Sequence, residues 1–525
     1  VSTQPPAQPP GAPAAPGNGT DNGEDIATLA KGGRTNFFGF LLRLAARLPF
    51  LFIAGRLYGP ENLGRFASAL VVVELIALVC ALGEKRGLAQ RLSEAEDVRP
   101  ANTVFDGILL TTVLSVLAAL FFWAVPAPMF PNGMNGPLDI WLVTGIPAFA
   151  LTEILLAAQA CRHDIGTTVR SRAIVEPWTI SIMAGVLYYI VPDSGLALAY
   201  IASVYAGLIV AVIPFLRDYG LPRGWRPHPV ALWKQASRAF PLATADAVEW
   251  GTRRVDIFIL GLFASPVAVG IYYVAQQVAS LPQKLKTSFE PILGPVITKN
   301  LKTKNYQAIA KQVSQVGFWI IAAQAGIGLA LLLPGEAVMR LVGPDFVGGT
   351  GALTFLLTAE VVAATAVVSE AVLVYIARKR NLALSLGTIA FQVVLTIGLI
   401  KLVEHLGYDE GYKAAAAAIA LMVALGTASF VKARLLARLL EAPINNFRWA
   451  LVWAAAPAGL VGWIVTQFPD WFELTIGIPA ILVAYGIVIW KRGFGPEDRV
   501  LFRKGNTPDK DLPEDPVAST PSEVR

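Results

Sequence analysis

The sequence is poor in the residues that usually build soluble active sites. Its 525 residues include two cysteines, Cys80 and Cys161, and three histidines, His163, His228 and His405. Thiols and imidazoles this few and this scattered exclude a zinc cluster and a disulfide framework, so no cofactor is expected. No G-x-x-x-x-G-K-[ST] phosphate loop occurs, which excludes ATP hydrolysis by that route. Charge is scarce as well: Asp, Glu, Lys and Arg make up 15% of the chain, against about 25% in a soluble domain. What is abundant is apolar, at 55% of residues, with a mean hydropathy of +0.56. The chain reads as an all-α integral membrane protein. Its net charge of +6 sits between apolar stretches rather than in one basic patch, so nucleic acid is not an expected partner.

The two ends differ from the middle. Residues 1–30 carry Pro5, Pro6, Pro9, Pro10, Pro13 and Pro16 among small and polar residues, too few large apolar groups to offset the entropy of ordering. They read as a disordered tail without the apolar core of a secretory signal. The segment 493–525 reads as a second tail, and its Asp509 and Asp511 form a D-x-D pair in solvated, Pro-rich surroundings.

A helix needs about 20 apolar residues to cross a bilayer. Fourteen such spans are expected, near 36–57, 65–83, 103–125, 139–160, 172–191, 194–215, 238–262, 268–292, 313–333, 349–377, 381–403, 412–431, 448–466 and 472–490. Lys and Arg are retained on the cytoplasmic side of short loops. With both termini cytoplasmic, the opposite loops hold only Arg65, Arg340, Lys401 and Lys413 of the 43 Lys and Arg. Arg43, Arg47, Arg56, Arg253 and Arg254 fall within spans. The expected organisation is an N-lobe over 31–216, a cytoplasmic linker over 217–237, a C-lobe over 238–437 and two further helices over 438–492.

The halves carry an internal repeat. At a constant offset of 206, Arg47, Phe52, Ile53, Gly55, Pro60, Gly64 and Ala69 match Arg253, Phe258, Ile259, Gly261, Pro266, Gly270 and Ala275. Both copies start on the same side, so the repeat is parallel, related by an axis along the membrane normal. Two pseudo-symmetric six-helix lobes around a central cavity follow from it.

The run Arg254-Val-Asp-Ile-Phe-Ile-Leu-Gly261, followed by Pro266-Val-Ala-Val-Gly270-Ile-Tyr272-Tyr-Val-Ala275, resembles the seventh-span signature of polysaccharide and oligosaccharide flippases. These belong to the multidrug, oligosaccharidyl-lipid and polysaccharide exporter superfamily. Phe52-Ile-Ala-Gly-Arg-Leu-Tyr-Gly-Pro-Glu-Asn-Leu-Gly-Arg-Phe66 is similar to the same family's opening motif. The resemblance covers about 36–490 in size and topology. It implies a V-shaped cavity between lobes, and movement of a lipid-linked sugar across the bacterial inner membrane by alternating access.

The charges inside spans need a reason, because each costs about 2.5–3.5 kcal/mol at mid-bilayer. Arg43 and Arg47 lie 40 degrees apart on one helix face at 100 degrees per residue. In the span over 238–262, Asp246, Glu249, Arg253 and Asp256 follow at spacings of 3, 4 and 3, within about 80 degrees of arc. Arg254 stands a quarter turn away. Guanidinium forks suit a pyrophosphate, donating paired hydrogen bonds while staying charged. Arg43, Arg47, Arg253 and Arg254 are therefore candidates for substrate binding, and Asp246, Glu249 and Asp256 for gating or for coupling to H+ or Na+. The same groups could instead pair with one another across the lobes and touch no substrate. Glu74, Glu153, Glu176, Glu290, Glu360 and Glu370 are further acids in or near spans. Tyr272 and Tyr273 could stack on a sugar. Trp123, Trp141, Trp178, Trp233, Trp449, Trp471 and Trp490 stand at span ends, where an interfacial belt accounts for them.

The reading that joins these features is a flippase for an undecaprenyl-pyrophosphate-linked oligosaccharide, with that lipid-linked sugar, membrane lipid and other polysaccharide assembly proteins as partners. A cation-coupled drug antiporter of the same superfamily is the alternative. A polymerase or glycosyltransferase is less favoured, because the short outer loops offer few catalytic groups.

Overall fold

The computed structural model describes residues 48–94, 99–283, 297, 300–495 and 498, and every regular element among them is helical. Arg43, Arg47, Glu290, Asp509 and Asp511 lie outside the described residues. Leaving aside single turns, the helices are α1 Gly59–Cys80, α2 Glu84–Glu94, α3 Pro100–Ala124, α4 Gly145–Cys161, α5 Glu176–Tyr188, α6 Gly195–Tyr219, α7 Pro229–Gly251 and α8 Val255–Phe263. They continue as α9 Pro266–Gln283, α10 Tyr306–Leu332, α11 Gly335–Val342, α12 Thr350–Ile376, α13 Arg378–His405, α14 Glu410–Leu440, α15 Ala450–Val465 and α16 Ile478–Val488.

Among the described residues nine helical stretches are long and apolar enough to cross a membrane, and Ala450–Val465 is a shorter apolar helix. This count differs from the fourteen expected because several spans are jointed. The described part of the span expected at 36–57 meets the span expected at 65–83 end to end, where Gly59 at φ +75° turns the chain into α1 and Pro60 occupies its first turn. A conformation of that kind is nearly cost-free only for glycine. The span expected at 172–191 is a π-turn, Val169–Val175, running into α5. The span expected at 238–262 is broken in two.

One apolar core joins both halves, with Leu63, Phe66 and Val73 of α1 beside Val269, Tyr272 and Val274 of α9. At the end of the bundle away from the basic turns, the repeat packs against itself. A Cβ on Gly64 would stand 1.8 Å from the Pro266 carbonyl oxygen, and one on Gly270 would stand 1.9 Å from that of Pro60. Only glycine allows the backbones so close. The alanines of α14, Ala414, Ala417, Ala418, Ala420 and Ala424, are buried and let it lie against α12 in the same manner. Outside this core the helices meet lipid: α3 exposes Val113, Val116, Leu117, Leu120 and Phe121, and all seven predicted interfacial tryptophans are exposed.

At the opposite end α1 stops at Leu82 and Gly83, both with positive φ. A Cβ on Gly83 would lie 2.6 Å from Leu242 Cβ, so α7 is pressed onto this turn. Glu84 beneath it is buried, accepts from Arg91, and accepts from Gln235 Nε2 of α7 at 3.4 Å. Burial pushes the Glu84 carboxyl up, against the pull of Arg91 and Gln235.

Candidate functional site

The break in the seventh expected span is the feature that organises the site. Thr252, Arg253 and Arg254 form a turn between α7 and α8, with Arg253 N donating to Trp250 O at 3.1 Å and Arg254 N to Gly251 O at 3.1 Å. Gly251, β-branched Thr252 and two adjacent cations are poor helix residues together. A neighbouring helix supports the break: Gln276 Nε2 of α9 donates to Arg253 O at 3.0 Å. Inside lipid such an interruption requires its freed backbone groups to be satisfied by protein or to line a cavity.

The break corrects the expected meridian. Asp246, Glu249, Arg253 and Asp256 do not share one continuous helix face: Glu249 is exposed and Asp246 half-buried on α7, whereas Asp256 is fully buried on α8. Asp256 accepts from the Tyr272 hydroxyl, from Ile257 N at 2.9 Å and from Gln276 Nε2 at 3.2 Å. A buried carboxylate held by this many donors is locked in place. Tyr272 and Tyr273 are themselves buried, and the Tyr272 hydroxyl is committed to Asp256, so the expected sugar-stacking role falls away.

Arg253 reaches across to α12. Its Nη1 donates to Glu360 Oε1 at 2.5 Å. The Gln283 amide, with its oxygen turned inward, accepts from Arg253 Nε at 3.1 Å and Nη1 at 3.3 Å. The guanidinium remains partly exposed while Glu360 is buried. Arg254 is half-buried, its charge acts on Asp256, and its side chain makes no hydrogen bond or ion pair among the described residues. The structure therefore brings Arg253, Arg254, Asp256 and Glu360 together, places Asp246 and Glu249 on the preceding helix, and leaves Arg43 and Arg47 outside the described residues.

A second charged group lies in the first half. Arg172 points among carboxylates, donating to Glu176 Oε1 at 2.7 Å and Glu153 Oε1 at 2.5 Å, with its guanidinium 4.3 Å from the Phe149 ring centroid. Glu176 fills the space beside Gly207, where a Cβ would stand 2.4 Å from it. Sequence reading names Glu153 and Glu176 among the span acids but neither Arg172 nor Gln276. The only signal for Gln276 is that it follows Tyr272 by one helical turn. Among the described residues no group of His, Cys, Asp and Glu is placed to hold a metal. A shallow cavity of about 400 Å³ lies elsewhere, at the end of α14 beside Arg434 and Arg438.

Helices of this length and hydropathy, with an internal repeat and a charged break within a span, define a polytopic all-α membrane protein. The comparisons agree. The lipid II flippase MurJ in an inward closed conformation matches with a TM-score of 0.63 at 14% identity, over 88% of this chain and 99% of that one. An inward-facing multidrug resistance MATE family transporter of the MOP superfamily matches at 0.62 and 15% identity, over 77% and 95%. An outward-facing transporter of that family matches at 0.54 and 14% identity, over 80% and 97%. The chain shares the fold of these two transporters and this flippase. No curated protein matches the sequence. The polysaccharide biosynthesis protein family matches residues 53–321, just over half of the chain, and the chain belongs to that family.

Proposed function

We propose that this protein carries an undecaprenyl-pyrophosphate-linked oligosaccharide from the cytoplasmic to the outer leaflet of the inner membrane, supplying O-antigen, capsule or exopolysaccharide. The observation that carries the reading is the pair Arg253–Arg254 at the break between α7 and α8. Two guanidinium forks stand there beside the N-terminus of a half-helix, whose aligned peptide dipoles favour an anion. A pyrophosphate diester offers two negative charges and several acceptor oxygens to such a place. Family membership and a flippase-type fold support the same reading.

The distribution of Lys and Arg supports cytoplasmic termini, which puts the Gly64–Gly270 crossing on the outer side. The halves then rock about that crossing, and a gradient of H+ or Na+ drives the cycle. An organic cation would meet arginines at the break, which weighs against the drug-antiporter alternative. Inverted vesicles containing a fluorescent lipid-linked oligosaccharide test the proposal. Flipping is expected with the wild-type protein and a marked loss with Arg254→Ala. Flipping that survives replacement of both Arg253 and Arg254 by Ala removes the site.

A further inference from the structure

We infer that the paired ends of α13 and α14 hold the headgroup of an anionic phospholipid, in the leaflet that borders the basic end of the bundle. This lipid is a constituent of the bilayer rather than the cargo, so the site stands apart from the flippase reading.

α13 and α14 form a packed helical hairpin. Lys432 Nζ of α14 donates to Ser385 Oγ of α13 and to Glu370 Oε2 of α12, each at 3.0 Å, and these contacts set the register. Arg378 stands seven residues before Ser385 and Arg438 six after Lys432, which carries both about 10 Å further toward the same end. Arg378, Lys379 and Arg380 open α13, Arg434 and Arg438 occupy the last two turns of α14, and all five are exposed. None of the five makes an ion pair among the described residues, and Arg434 lies over the Phe430 ring, 5.3 Å from its centroid. The cavity of about 400 Å³ at this end is lined by Arg434, Arg438 and a single carboxylate, Glu441. Five cations against one acid repel one another. α13 also begins without a side-chain cap, so the positive end of its dipole adds to the field. A phosphate relieves both.

Other cations at this end are answered within the protein: Arg91 by Glu84, Arg217 by Asp218 and Arg448 by Asp498. The repeat sharpens the contrast. At the offset of 206, Arg378 corresponds to Arg172, which Glu153 and Glu176 enclose. Its second-half counterpart is exposed and stands among cations instead of acids.

Position selects a lipid among anions. The patch terminates a stripe of exposed apolar side chains, with Phe430 and Val431 before Arg434 on α14, Tyr375 near the end of α12 and Leu386 on α13. A molecule seated here meets guanidinium forks on its polar side and hydrocarbon on the other, which suits a phosphate carried on acyl chains. Phosphatidylglycerol brings one uncompensated negative charge. Phosphatidylcholine brings the same phosphate with a cation of its own, and the excess of arginine discriminates against it.

The test is native mass spectrometry of the purified full-length protein titrated with phosphatidylglycerol and with phosphatidylcholine of the same acyl chains. Wild type is expected to retain phosphatidylglycerol in preference. Arg434→Gln with Arg438→Gln is expected to lower that preference about tenfold, from the contribution of each basic residue near a charged lipid. Arg434→Lys with Arg438→Lys is expected to keep most of it. Arg223→Gln with Arg226→Gln, which removes the same charge from the exposed loop at the same end, is expected to change it little. An equal fall in that control, or no preference in wild type, overturns the inference. Thermal melting checks each variant. A lower melting temperature with unchanged preference would mean that Arg434 and Arg438 serve the C-terminal dipole of α14 alone, and overturns it as well. If the first pair does not fold, Lys379→Gln with Arg380→Gln carries the same expectation, and an unchanged preference there is the overturning result. A preference that appears only when Asp509, Asp511, Glu514 and Asp515 are replaced by Asn or Gln assigns the patch to the chain's own acidic segment and also overturns the inference.

Discussion

Gly64 and Gly270, partners in the internal repeat, each lie against the backbone of the other's helix: the position of a Gly64 Cβ is 2.8 Å from Gly270 N, and that of a Gly270 Cβ is 3.1 Å from Gly64 N. Such a reciprocal contact is what a two-fold axis produces when it passes through an interface. Flanking contacts repeat the pattern. Gly55 abuts Val342 and Phe346 of the second half, while Gly261 abuts Ser68 and Pro131 of the first. Arg56 Nε donates to Leu341 O at 3.2 Å, and Asn132 Nδ2 donates to Gly261 O at 2.9 Å. The bundle is thus sealed at this end by two copies of one short motif.

A seal made of backbone contact has no room to yield. Gly64→Val or Gly270→Val forces α1 and α9 apart, and overpacking of this kind costs about 1–3 kcal/mol, equivalent to about a tenfold shift or more between closed and open states. Maleimide labelling of a cysteine placed at Ser68 is expected to rise in either variant, with transport falling by a similar factor. Labelling as slow as in the unsubstituted background would show that the crossing is not a seal.

The two arginines at the break separate stability from function. Arg254→Ala removes a side chain without an ion pair among the described residues. Its melting temperature is expected to stay near wild type while lipid-linked oligosaccharide flipping drops. Arg253→Ala strands a buried carboxylate, a loss of about 3 kcal/mol or more, so both melting temperature and flipping are expected to fall. Equal destabilisation by the two substitutions would contradict the geometry.

How much of this was legible beforehand follows from the range of each interaction. Hydropathy marks the helices, because lipid imposes a length and a composition. The repeat marks Pro60, Gly64, Pro266 and Gly270, because identical backbone contacts demand identical small residues. Arg253 and Arg254 stand out as charges within a span. The break beside them does not, because its support comes from Gln276 on another helix. Nor does the pairing of Arg253 with Glu360, residues 107 apart in the chain. Arg172 opens the span expected at 172–191, and the π-turn over Val169–Val175 that carries it inward has no sequence signature. The helical meridian through Asp246 and Asp256 assumed an unbroken span, and a local rule cannot see a tertiary interruption.

Tyr272→Phe tests the anchoring of Asp256. The hydroxyl is fully buried and donates to the carboxylate. Deleting it leaves Gln276 and Ile257 N as the remaining donors, and an acceptor deprived of a buried partner costs about 1–3 kcal/mol. A lower melting temperature is expected. The double variant Tyr272→Phe with Asp256→Asn is expected to lose less than the sum of the singles, since the two groups act as one unit. Strict additivity would show that the contact contributes nothing.

The last helix is pinned to the bundle by a buried clasp. Asp498 accepts from Arg448 Nη1 at 2.6 Å, Trp319 Nε1 at 2.8 Å, Gly495 N at 2.9 Å and Gln315 Nε2 at 3.0 Å. Burial pushes this carboxyl up, but Arg448, Gly495 N and Trp319 pull harder, and the net result lies below the ordinary Asp range. A depressed carboxyl contributes stability that is present above its unfolded value, about pH 4, and that disappears as pH falls through the lower folded value. Asp498→Asn keeps the shape and removes the charge, so it is expected to lose about 2 kcal/mol at neutral pH. Melting curves of detergent-purified protein should show the gap between wild type and Asp498→Asn constant from neutral pH down to about pH 4, then closing as the wild-type carboxyl protonates. A gap that widens in acid would reverse the sign of the shift, and no gap at neutral pH would mean that the segment after α16 is held by apolar contacts such as Phe494 on Phe318, ring centroids 6.0 Å apart, rather than by Asp498.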